Sequence, residues 1–158
     1  MNDKINLIRP EKINLLNNPV LTEKWVQEII AKDPSTLGLG DLILRDMERP
    51  QPKAGRLDLL LQDADSDRRY EVELQLGKVD ESHIIRTIEY WDIEKKRYPQ
   101  YDHCAVIIAE DITNRFLNVI NIFNGTVPLI VIKMEAFRNG DDHWLNFTTV
   151  LNEANLGP

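Results

Sequence analysis

GRLDLLLQDADSDRRYEVELQLG, residues 55–77, decides how this chain folds. Its first run, Arg56 to Leu61, is mostly leucine, and its second, Arg69 to Leu76, alternates apolar with charged or polar residues at period two. Asp63 to Asp67 between them is a short acidic turn. The two runs predict a β-hairpin. With the turn centred between Asp65 and Ser66, Asp58 lies opposite Glu73. Side chains along a strand alternate faces, so Glu71, Glu73 and Gln75 share one side, and Asp58 joins them from the neighbouring strand.

Upstream of the hairpin, Thr22 can cap a helix in which Trp25, Val26, Ile29 and Ile30 recur at helical spacing, and Pro34 stops it. Gly38 and Gly40 mark a turn, and Asp41–Met47 reads as a strand, followed by a two-proline loop from Arg49 to Pro52. Residues 1–21 read as a loosely ordered arm with short structure around Ile13–Leu16. Downstream, Asp80 or Ser82 can cap a helix reaching about Arg97, with Ile84, Ile85, Ile88 and Trp91 as its apolar stripe. His103–Ala109 is almost wholly apolar, as in a strand buried on both faces. Asp111 can cap a third helix that includes Ile112, Phe116, Val119, Ile120 and Phe123 and closes at Asn124-Gly125. Val127–Phe137 and His143–Val150 form a second hairpin around Asn139-Gly140, and residues after Asn152 are expected to fray.

The order α-β-β-β-α-β-α-β-β predicts a mixed α/β sheet with helices on its faces. At 158 residues it suits one domain. That domain comprises the arm (1–21), a core (22–110) and a C-terminal helix and hairpin extension (111–152).

The bulk properties narrow the class. No run is apolar for long enough to span a bilayer, and the polar amino terminus is unlike a signal peptide. Cys104, the one cysteine, has no partner for an intrachain disulfide and is expected to be buried, so a cytoplasmic location is expected. The net charge of −7 argues against a nucleic-acid coating protein, yet a local basic face can coexist with a negative total. Lys95-Lys96-Arg97 reads as the solvated end of a helix. His83, His103 and His143 lack metal-ligand spacing, and His83 reads as structural or exposed. Trp25, Trp91 and Trp144 read as core residues.

Two readings compete for Glu71, Glu73 and Gln75. They are the solvated face of an amphipathic strand, or they are part of a site with Asp58. Two carboxylates brought together across a hairpin repel each other. A hard cation such as Mg²⁺ offsets that repulsion, because it takes oxygen ligands and often only one or two carboxylates.

The wider string resembles the PD-(D/E)xK nuclease superfamily. The matching pieces are EKWVQEIIAKDPSTLGLGDLILRD, GRLDLLLQ, RRYEVELQLG and HIIRTIEYW, within residues 22–110. The resemblance implies the restriction endonuclease-like core and a metal-dependent nuclease acting on DNA. It places Asp58 in the family's Gly-x-x-Asp-Leu strand and Glu73-Leu-Gln75 in the place of Glu-x-Lys, a Glu-x-Gln variant. Asp58 and Glu73 would then hold Mg²⁺ or Mn²⁺, with the carbonyl of Leu74, and Gln75 would position the attacking water. Arg86-Thr-Ile-Glu-Tyr90 stands where the RecB-like branch carries Gln-x-x-x-Tyr, so Arg86 and Tyr90 would support the site or touch a phosphate. Core packing of Tyr90 is an equal reading. The family's first helix often gives an acid, for which Glu23, Gln27 and Glu28 are candidates, with Glu28 taken forward. Gln75 departs from the family's lysine. It bonds water but carries no charge, and Lys78 and Arg86 are the nearby cations. The alternative is a catalytically inactive module of the same fold that binds nucleic acid or a protein partner. A homodimer is a further expectation, since cutting two strands calls for two sites.

Overall fold

The computed structural model describes residues 4–153. Seven strands form one mixed sheet: β1 (Glu11–Ile13), β2 (Leu42–Gln51), β3 (Gly55–Asp63), β4 (Arg68–Lys78), β5 (Asp102–Asp111), β6 (Leu129–Asn139) and β7 (Asp142–Leu151). Three α-helices accompany them: α1 (Glu23–Lys32), α2 (Glu81–Arg97) and α3 (Asn114–Phe123). A short 3₁₀ turn covers Pro34–Leu37. The sheet order is β1-β6-β5-β4-β3-β2, with β7 paired to β6. β2–β3–β4 is an antiparallel meander, and β4, β5 and β6 run parallel. The expected α/β class and order hold, with β1 added.

Parity along the central strands decides which face goes where. Val72, Leu74, Val106, Ile108 and Ile132 face α1, whose Val26 and Ile30 are fully buried. Ala105, Ile107, Leu129 and Val131 face α2 and α3, against Ile84, Trp91 and Ile120. Each fully buried Leu or Ile is worth ~1.5–3 kcal/mol, so β5, apolar on both faces, is the spine of the fold.

Several expectations are corrected. The arm is tied down: β1 pairs with β6, Leu15 is fully buried, and the Leu15 and Leu16 amides donate to the Glu110 carboxylate at 2.7 and 3.1 Å. The first three residues of the proline loop are strand, since β2 runs through Pro50 to Gln51 on the sheet edge, where proline is tolerated, while Pro52 stays in the turn to β3. Thr113, not Asp111, caps α3, because the sheet carries β5 through Asp111. Asp80 caps α2 as expected, but Ile85 is exposed and His83 takes the buried place. Trp144 is 40% exposed rather than core. Gly140 (φ 61°) and Asp141, not Asn139-Gly140, are the two loop residues between β6 and β7, because Asn139 pairs with Asp142. Glu153, expected to fray, is held by Arg68 through two 2.6 Å bonds. The rest of that tail, 154–158, lies outside the described residues.

Candidate active site

The hairpin register is the one the sequence implies. Leu59 pairs with Val72 and Leu60 with Glu71, which continues to Asp58 opposite Glu73. The backbone ladder ends at Leu59, and the two acids take over the bonding. The Asp58 amide donates to Glu73 Oε1 at 3.1 Å, and the Leu74 amide donates to Asp58 Oδ2 at 2.8 Å. Each carboxylate thus commits one oxygen to the opposite strand. The Asp58 carbonyl, released from the ladder, accepts from Gln27 Nε2 of α1 at 2.9 Å.

The acids open into a cleft of about 480 Å³. Glu23, Arg56, Gln75, Arg86 and Tyr90 also line it. Burial holds the Asp58 carboxyl above the ordinary carboxylate range, with the Glu23 and Glu48 charges adding to the effect. Burial also raises Glu73, which is 3% exposed, and the Asp58 charge raises it further. Arg86 acts in the other direction on both acids. Gln75 donates through Nε2 to the capping carboxylate of Asp80 at 3.3 Å, while its Oε1 is buried without a partner among the described residues. Asp80 in turn accepts from the His83 amide at 2.8 Å, so Gln75 is fastened to the start of α2.

Tyr90 is 2% exposed, and its hydroxyl donates to the Ala54 carbonyl at 2.8 Å. The next residue, Gly55, has φ 104°, and a Cβ there would sit 2.8 Å from the Tyr90 oxygen. Tyr90 therefore anchors the turn that launches β3, three residues before Asp58. It lines the cleft, but its proton is already committed, which favours the packing role over phosphate contact.

The other candidates separate cleanly. Arg86 is exposed at the cleft. Glu28 is exposed and lines a neighbouring depression instead, and Glu23, five residues earlier, is the α1 acid at the cleft. Glu71 shares the Glu73 face, yet neither reading of that face describes it: it is fully buried and bonded to His103. Burial pushes the Glu71 carboxyl up to about 7. His83 is fully buried, and burial pushes its pKa down to about 4, so it is neutral near pH 7. Arg56 was missed, although period-two alternation puts it on the Asp58 face.

Among the described residues no three His, Cys, Asp or Glu side chains converge into a ready-made metal cage. The donor set suits a hard cation that keeps most of its waters. A buried and a half-buried carboxylate with raised proton affinity are an electrostatic liability that such an ion would relieve.

No family model and no curated protein matches the sequence. Two solved structures share the fold. A repair endonuclease from Pyrococcus abyssi superposes with a TM-score of 0.59 at 19% identity, covering 71% of this chain and 46% of that one. An EndoMS–dsDNA complex superposes with a TM-score of 0.55 at 15% identity, covering 84% and 49%. The chain therefore spans about half the length of the proteins it resembles, and its mixed α/β fold is the one found in these endonucleases.

Proposed function

We propose that this chain is a metal-dependent nuclease that hydrolyses DNA phosphodiester bonds. The observation that carries the reading is the pair of acids tied across the strands, Asp58 amide to Glu73 and Leu74 amide to Asp58, with Glu73 buried and Asp58 half-buried beside a cleft where the β3–β4 ladder ends. The neighbours' described activity and DNA complex support it. Asp58 and Glu73 would hold Mg²⁺ or Mn²⁺, with the Leu74 carbonyl as a further oxygen. Bound there, the ion supplies a lowered pKa for water and charge stabilisation at the phosphate.

The chain's own residues divide the remaining work. Gln75 lines the cleft beside the acids, and its amide would orient the attacking water. Arg86 and Arg56 are the cleft cations that can meet phosphate oxygens. Asp80 fixes the nitrogen end of the Gln75 amide.

Cleavage of single-stranded, double-stranded and branched DNA, with Mg²⁺ or Mn²⁺, tests the proposal. Activity should fall at least ~100-fold in Asp58→Ala and in Glu73→Ala. Activity that survives both substitutions rejects the catalytic claim. One observation favours a second reading: among the described residues no lysine lines the cleft, and Gln75 carries no charge. An inactive binding module of the same fold would keep DNA or partner binding in the double variant and show no cleavage in the wild type.

A further inference from the structure

β6 does not stop where β5 does. Its last pair with β5 is Ala109 with Lys133, and it runs on to Asn139 between β7 and β1. At about 3.3 Å per residue, this makes a wing about 20 Å long, two-stranded with β7 and three-stranded where β1 covers Ala136 to Arg138. Because β4, β5 and β6 are parallel, the wing extends from the sheet at the C-terminal end of β4, where Glu73 and Gln75 lie.

Register fixes which side of the wing looks the same way as the site. Gln75 pairs with Ala109, and Ala109 pairs with Lys133, so the three form one row across the sheet. Two strand spacings put the Lys133 backbone about 10 Å from that of Gln75. Lys133, Glu135 and Phe137 project on the Glu73–Gln75 side, as do their cross-strand partners Thr148, Asn146 and Trp144, and Lys12 opposite Phe137. The reverse side is apolar and packed, through Ile13, Met134, Ala136, Leu145 and Phe147.

The near side is open and has a distinct chemistry. Lys12, Trp144, Asn146 and Thr148 are exposed. Trp144 stacks on Phe137 with ring centroids 5.6 Å apart and still leaves 40% of its surface exposed. Lys12 is paired with Glu135 at 3.3 Å. Lys133 and Lys78 have no ion-pair partner among the described residues. These three lysines, with the acids Glu110 and Asp111 between them, line a cavity of about 700 Å³ that reaches Gly77, two residues beyond Gln75; Glu110 is already spent on the amides of Leu15, Leu16 and Gly77. In a chain of net charge −7, unpaired lysines grouped on one open face complement a polyanion. An exposed aromatic stack beside them offers a π-face to unpaired bases. Asn146 and Thr148 can donate to phosphate oxygens.

We infer that the β1–β6–β7 wing binds an unpaired stretch of nucleic-acid strand and leads it into the acid cleft. The inference rests on the nuclease reading for its direction, but binding is measurable without catalysis. Fluorescence anisotropy of a labelled single strand and its duplex, in EDTA and at several salt concentrations, is the test. Trp144→Ala should weaken single-strand binding at least about fivefold and duplex binding less. Lys133→Ala should weaken both and reduce the single-strand salt slope by roughly 0.7. Trp144→Tyr keeps an aromatic platform and should retain most of the affinity, which separates stacking from a folding defect. Lys95→Ala, at the far end of α2, should change nothing.

Absence of wild-type binding overturns the inference, as does affinity indifferent to both Trp144→Ala and Lys133→Ala. A solution dimer that Trp144→Ala dissolves would assign the face to a second copy and overturn it too. Wing-dependent binding without cleavage ends the nuclease reading alone. Cleavage that depends on Asp58 with a wing insensitive to substitution ends this inference alone.

Discussion

Glu73→Gln should stabilise the metal-free protein at about pH 8 and leave its stability nearly unchanged at about pH 4. Glu73 binds its proton more tightly folded than unfolded, because it is buried beside Asp58. A carboxyl shifted in that direction lowers stability as pH rises above its unfolded value, ordinarily 4.5, and the loss is complete once pH passes the folded value. Every tenfold increase in proton affinity on folding costs ~1.4 kcal/mol on the alkaline side. Glutamine keeps the oxygen that accepts from the Asp58 amide and adds an N–H₂ that can donate to the Asp58 carboxylate. One tenfold step alone converts to about 3–6 °C in melting temperature for a chain of this size. Thermal melts of both proteins across this pH range, in EDTA, read the effect directly. Saturating Mn²⁺ should then raise the wild-type melting temperature near pH 8, by ~2.7 kcal/mol of stabilisation at a hundredfold excess over Kd. It should do much less for Glu73→Gln. A glutamine variant no more stable than wild type at either pH, with a wild type indifferent to Mn²⁺, would refute the view of the acid pair as a strained cation site.

Gln75→Lys should raise the single-turnover cleavage rate at least about tenfold. A well-placed donor at a developing anion is worth ~10²–10³, and part of that is offset because Asp80 competes for the new ammonium. A rate that is unchanged or lower would mean that the missing charge is supplied elsewhere, with Arg86 the first place to look. Glu94→Ala tests a different part of the molecule. Glu94 is fully buried and accepts from Arg49 at 2.7 Å and from Gln51 at 2.8 Å, joining α2 to the edge strand β2. Its removal leaves Arg49, whose side chain is 18% exposed, without its shortest partner, at a cost of about 3 kcal/mol or roughly 6–12 °C. A drop under about 2 °C in a thermal melt would show that solvent replaces the bond.

The central hairpin was legible because local rules sufficed. An acidic turn and strict alternation fixed its register, and the register placed Asp58 opposite Glu73. The helix boundaries followed from their caps wherever the cap lay outside a strand, as Thr22 and Asp80 do. Asp111 misled because a long-range pairing with Lys78 keeps it in the sheet, and nothing local announces that pairing. The same holds for β1 and Leu15. A polar segment is held by β6 and by the Glu110 carboxylate, both about a hundred residues away in sequence. Pro50 reads locally as a loop residue, and only a place on the sheet edge makes it acceptable in a strand.

The site was less legible than the strand that carries it, for a reason visible in Glu71, Glu73 and Gln75. Alternation gives all three the same face and says nothing about what covers it. α2 and the β2 edge decide. They bury Glu71 against His103, leave Glu73 at the cleft wall, and hold Gln75 by Asp80. The acid from α1 was displaced by similar logic. Glu28 borders the apolar stripe, but α1 approaches β3 through Gln27, which takes the carbonyl that Asp58 no longer spends on the ladder. With Val26 and Ile30 buried on the same face, that bond turns Glu28 to solvent and leaves Glu23 at the cleft. The place where β3 and β4 stop pairing is therefore the cause of the site's geometry. It frees two amides for the carboxylates and one carbonyl for the helix, and it forms the opening of the cleft.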